Sequence, residues 1–152
     1  MPKTVRGGYI IPSPGGRRHL YILKTNMLDL HSVTIGSTQP KELAQFYEKV
    51  FGKPTDMAGG GYFGWLVGHS FFSVGQHSET KGLSKDPARV ILNFETDQVK
   101  AEFERIKNLG AMVIKEPYQM GGSWIATLAD PDGNYFQLMT PWEDMSVDKN
   151  AN

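Results

Sequence analysis

LADPDGNYFQLM, Leu128 to Met139, decides how the chain folds, because it reads either as a metal-binding loop or as a tight turn between two strands. A calcium loop of the EF-hand kind gathers oxygens at fixed offsets, ending in a distal bidentate glutamate. Here Gly133 comes too early, Pro131 fixes its own φ, and no glutamate stands at the far position. Asp132 and Gly133 between two strand-like stretches are instead a hairpin signal. Glycine accepts positive φ, and Asp130 and Asn134 can hydrogen-bond the turn backbone. The expectation is a turn in which Asp130 and Asp132 are scaffold.

Working outward, NYFQLMT (134–140) follows the turn as a strand, and SWIATLAD (123–130) and MVIKEPY (112–118) precede it as two more. Before them DQVKAEFERIKNLGA (97–111) spaces Val99, Phe103 and Ile106 as the apolar stripe of a helix, with Asp97 placed to cap it and Gly110 to stop it. ARVILNFET (88–96) opens this half as a strand with Leu92 and Phe94 on one face and Ile91, Asn93 and Glu95 on the other.

The same order stands upstream. DLHSVTIGS (29–37) alternates as a strand, with Val33 and Ile35 on one face and Ser32, Thr34 and Gly36 on the other. TQPKELAQFYEKVFGK (38–53) is a helix with Pro40 in its first turn, Leu43, Phe46, Tyr47 and Val50 at helical spacing, and Gly52 at its end. YFGWLV (62–67) and FFSVG (71–75) are strands, and the polar GQHSETKGLSKDP (75–87) links the halves. The chain is therefore expected to be α+β, with two tandem βαβββ modules at about 28–75 and 89–140. Each module hides one sheet face under its helix, and the pair forms a curved mixed sheet with a central cleft.

ATLADPDGNYFQLMTPW (126–142), QPKELAQFYEKVFGK (39–53) and NFETDQVKAEFERIKNLGAMVIKEP (93–117) resemble the vicinal oxygen chelate superfamily. It includes glyoxalase I, extradiol dioxygenases and the fosfomycin and bleomycin resistance proteins. The resemblance runs from about residue 28 to residue 142. It implies the paired-module fold and a pocket for a small molecule, while the superfamily's several chemistries leave the reaction open. Metal-using members set His, Glu or Gln at four inward strand positions, which fall here on Ser32, Ser73, Ile91 and Gln137. Only Gln137 is a plausible ligand among these, so glyoxalase-type and dioxygenase-type chemistry is not expected to run through that set. His31 and His69 are weak substitutes: alternation turns His31 to the opposite face from Ser32, and His69 falls in a turn.

With 152 residues the chain has room for a core of one domain at 27–142, preceded by a basic Gly/Pro-rich extension at 1–26 and followed by a polar tail at 143–152. The extension is read as a tail, with an arm that clasps a partner subunit as the alternative. Sixteen Lys and Arg balance sixteen Asp and Glu, which gives no reason to expect nucleic acid or an anionic membrane as partner. Cysteine is absent, which excludes disulfides and thiolate chemistry and is compatible with a reducing cytoplasm, the expected location. No apolar run approaches the roughly 20 residues of a membrane span. GGGYFG (59–64) lacks the Lys-Ser/Thr and the helix of a phosphate loop and is expected to be a flexible loop beside the pocket.

The inward positions are Ser32, Thr34, Phe71, Ser73, Ile91, Asn93, Glu95, Gln137 and Met139. All but Glu95 are expected to bind ligand; Glu95, their only carboxylate, is the candidate general base. The set suits an uncharged or aromatic small molecule. The expectation is a metal-independent ligand-binding protein without a cofactor that forms a homodimer. A divalent-metal lyase or dioxygenase with a non-standard site built on Gln137, His31, His69 or Glu95 is the alternative, and a metal-free enzyme using Glu95 as base is a third.

Overall fold

The computed structural model describes residues 9–10, 20–21, 28 and 30–141, and the chain divides into two compact units, Met1–His31 and Ser32–Asn152. In the first unit β1 (Tyr9–Ile10) pairs antiparallel with β2 (Leu20–Tyr21), setting Tyr9 opposite Tyr21. The expected extension at 1–26 and tail at 143–152 otherwise lie outside the described residues, as does Trp142.

The second unit opens with β3 (Ser32–Ser37) and α1 (Pro40–Phe51). Pro40 stands in the first turn of the helix, where its missing N–H costs nothing, and Gly52 closes it at φ 67°. Leu43, Ala44, Phe46, Tyr47 and Val50 are its buried stripe. Three strands follow, β4 (Met57–Gly59), β5 (Tyr62–Val67) and β6 (Ser70–Gln76). β4 is the strand that the sequence pattern leaves unnamed: three residues, all exposed, show no alternation to read. It also takes Gly59 out of the expected loop, leaving Gly60 and Gly61 as the turn between β4 and β5.

A turn of 3₁₀ helix (Pro87–Arg89) leads into the second module: β7 (Leu92–Glu95), α2 (Val99–Asn108), β8 (Met112–Met120), β9 (Ser123–Ala129) and β10 (Tyr135–Met139). Asp97 does not cap α2. The N-cap position falls on Gln98, without a side-chain bond. Thr96 N–H still donates to Met139 O, so the sheet pairing runs past β7, and the Thr96 hydroxyl accepts the Gln98 N–H, which carries the helix start one residue further on.

The two sheets have the same topology. Their orders are β3-β6-β5-β4 and β7-β10-β9-β8, so in each the first and last strands of the module pair in parallel and the rest antiparallel. This is the repeated βαβββ unit. Pro117 sits in β8, an edge strand, near the register shifts that follow Val113 and Lys115. An edge tolerates a residue that cannot donate to a ladder.

One core serves both modules. Phe46, Tyr47, Trp65, Phe72 and Val74 from the first join Phe103, Ile106, Leu128, Phe136 and Leu138 from the second. Aromatic rings bridge the modules: Phe51 and Phe72 meet Phe94 at centroid distances of 5.5 and 6.3 Å, and Phe46 and Tyr47 each lie 6.2 Å from Phe136. Such edge and tilted contacts suit ring quadrupoles.

Candidate functional site

Strand alternation sends Ile35, Phe72, Val74, Leu92, Phe94, Phe136 and Leu138 to the core. The opposite face of each sheet receives the expected site residues. In the first sheet Ser32 lies beside Phe71, and Thr34 beside Ser73, with their hydroxyls 2.7 Å apart. In the second, Gln137 stands between Asn93 and Thr127 and donates its amide to the Thr127 hydroxyl at 3.0 Å, while Met139 stands between Glu95 and Ile125. Register thus gives both modules the same feature, a polar cross-strand pair on the first and last strands: Thr34 with Ser73, and Asn93 with Gln137. Ile91 precedes β7 and belongs to neither pair.

Two glycines on this face of the first sheet are covered by aromatic rings. A Cβ at Gly64 would overlap the Phe71 ring and one at Gly75 the Tyr62 ring, so both aromatic rings lie over glycines on neighbouring strands. Glycine in a strand interior is the usual means of such close approach.

A cavity of about 540 Å³ lies between the modules. The first module supplies Val33 and the β5–β6 turn through Phe72; the second supplies Leu92 to Glu95. Three of the expected residues, Phe71, Asn93 and Glu95, meet here together with His69. Ser32, Thr34, Ser73, Ile91, Gln137 and Met139 do not line it. His31 is exposed and belongs to the first unit. Val33, Phe72, Leu92 and Phe94 are among the lining residues that sequence reasoning missed. Alternation assigns the last three to the core, and a cavity running between two sheets draws walls from both faces, for which the sequence has no periodic signal.

The donor set at the four positions implied by the superfamily resemblance does not fit a divalent ion. Ser32, Ser73 and Ile91 offer two neutral hydroxyls and an alkyl chain, the Ser73 hydroxyl is engaged by Thr34, and Gln137 is hydrogen-bonded to Thr127. Among the described residues no three His, Asp or Glu side chains converge.

The turn after β9 is as the sequence suggests. Gly133 sits at φ 80°, Gly133 N–H donates to Asp130 O, and Asp130 N–H donates to Asn134 O. Asp130 Oδ1 accepts the Asp132 and Asn134 backbone N–H groups, both at 2.9 Å, and Oδ2 accepts Tyr47 Oη and Asn134 Nδ2. Burial nevertheless pushes the Asp130 carboxyl above the ordinary carboxylate range, against the pull of those donors. The Tyr47 hydroxyl is raised well above its usual value, first by burial and then by the neighbouring Asp130 charge, which keeps it a donor.

Two sheets of identical order, a helix for each and a cavity between the modules define a paired βαβββ protein. A family model described as "Glyoxalase-like domain" matches residues 32–139, and the chain belongs to that family. Solved structures share its fold. A glyoxalase/bleomycin resistance protein/dioxygenase family enzyme from Burkholderia phytofirmans PsJN aligns with a TM-score of 0.63 at 26% identity, over 74% of this chain and 98% of its own. A glyoxalase-related enzyme from Fulvimarina pelagi aligns at 0.64 and 15% identity, over 76% and 89%. Lactoylglutathione lyase from Agrobacterium tumefaciens aligns at 0.60 and 16%, over 76% and 96%. No curated protein matches the chain.

Proposed function

We propose that this glyoxalase-like protein binds a small, largely apolar organic molecule between its modules, without a metal. The observation behind this reading is the inter-module cavity, whose size lies within the roughly 300–1,000 Å³ of small-molecule sites. Its walls are Val33, Phe71, Phe72, Leu92 and Phe94, and Asn93, Ser70 and His69 are the polar groups available to orient a ligand. The poor metal donor set supports the metal-independent part.

A second reading rests on His69 and Glu95 lining one cavity. An imidazole and a carboxylate there would serve a proton transfer on the bound molecule, with Glu95 as base. A homodimer is part of the proposal, supported by Met57, Tyr62 and Leu66, all exposed on the face and edge of the first sheet. No helix among the described residues is long and apolar enough to cross a membrane.

The test is a thermal-shift screen of aromatic and drug-like compounds, repeated on Asn93→Leu and Phe71→Ala. Hits whose shift disappears in both variants support the cavity, and hits indifferent to both place binding elsewhere. Elemental mass spectrometry on protein purified without chelator, then offered zinc, nickel, manganese and iron, tests the other half. Near-stoichiometric metal would replace this reading with the metal-dependent lyase or dioxygenase.

A further inference from the structure

A second pocket, of about 310 Å³, lies between the inter-module linker and the Asp130–Asn134 turn, and shares no lining residue with the first. The linker is held tightly there. Ser84 N–H donates to Asp132 O at 2.8 Å, and a Cβ at Gly36 would come within 2.5 Å of Thr80 Oγ1, so only glycine at that point of β3 lets the linker lie down on it.

Asp132 lines this pocket and is only 3% exposed. Its Oδ1 accepts Gln39 Nε2 at 2.7 Å, but its Oδ2 is buried and has no hydrogen-bond partner among the described residues. A buried carboxylate oxygen without a donor is costly, and native structures rarely leave one without reason. Ser84 and Gln39 account for the carbonyl and Oδ1 of Asp132; among the described residues nothing accounts for Oδ2.

The charges of the remaining lining bear on what could supply that donor. Glu79 and Asp132 supply two negative charges and Lys81 and Lys85 two positive ones, so the four sum to zero. A dication would face two ammonium groups with two carboxylates to hold it, and a simple anion would face a bare carboxylate oxygen. We propose that this pocket binds a small zwitterion of amino-acid size, whose ammonium group donates to Asp132 Oδ2 and whose carboxylate meets Lys81 and Lys85. Thr80 and Ser84 supply hydroxyls at the same wall.

Titration of the ¹⁵N-labelled full chain with L-alanine, ethylamine and propionate tests this by NMR. L-alanine is expected to give saturable shifts at the amides of residues 79–85 and 132–134, while neither half-molecule alone matches its affinity. Asp132→Asn keeps an oxygen for Gln39 and should weaken L-alanine binding at least about tenfold, the scale of a lost charge-assisted bond. Should that variant fold poorly, the double variant Lys81→Gln, Lys85→Gln alters only exposed positions and should weaken binding similarly. Absence of saturable shifts with L-alanine, ethylamine binding as tightly as L-alanine, or unchanged affinity in the double lysine variant would each overturn the proposal.

Discussion

Tyr47 Oη donates to Asp130 Oδ2 at 2.8 Å, tying the helix of the first module to the turn of the second across 83 residues of sequence. Both residues are buried, so the bond is shielded from water. Tyr47→Phe keeps the ring packing and removes the donor. It should cost about 1–3 kcal/mol, read as a lower urea midpoint with unchanged slope. An unchanged midpoint would mean that Asn134 Nδ2 alone satisfies Oδ2.

The same carboxyl gives a pH signature. Because burial raises Asp130 above its unfolded value, the stability it contributes is full below the unfolded pKa and is lost as pH rises through the folded one. The stability of the natural protein relative to Asp130→Asn should therefore fall as pH rises through and above the ordinary aspartate range. Urea midpoints of both proteins across that range check the sign. A relative stability that grows with pH would mean the hydrogen bonds outweigh burial.

Gly133 holds φ 80° at the turn, where a β-branched side chain is strained. Gly133→Val should destabilise by about 1–2 kcal/mol or more. Asp132→Asn, which keeps the oxygen facing Gln39, should move the thermal midpoint little. Equal losses from the two changes would show that the Asp132 charge, and not the backbone angle, governs the turn.

Arg105 of α2 reaches the C-terminus of α1, donating to Lys49 O at 2.8 Å and Val50 O at 2.6 Å while its Nε faces Glu102. Those carbonyls have no partner inside their own helix. Arg105→Ala should cost about 1–2 kcal/mol in chemical unfolding, with Arg105→Lys intermediate because one ammonium cannot copy a planar fork. Full rescue by lysine would reduce the contact to simple charge.

Elements whose periodicity extends over several residues were legible in the sequence. α1 and its Gly52 stop, the β9–β10 turn and the core faces of β3 and β7 all follow from local spacing and turn chemistry. β4 escaped because three exposed residues carry no pattern, and the start of α2 slipped because it depends on the long-range bond from Thr96 to Met139. For the site, alternation put Phe71, Asn93 and Glu95 on one face, and all three line the cavity. It could not show that the cavity also takes Phe72 and Phe94, because a gap between sheets is a property of how modules meet.

The ring contacts from Tyr47, Phe51 and Phe72 to Phe94 and Phe136 have a consequence for the repeat itself. Two copies of one pattern ordinarily suggest beads that can be cut apart, shuffled or used singly. Here a cut in the linker would leave each half with an aromatic wall facing water, so the two halves are a single folding partnership. A change in the rings of one must be answered in the other.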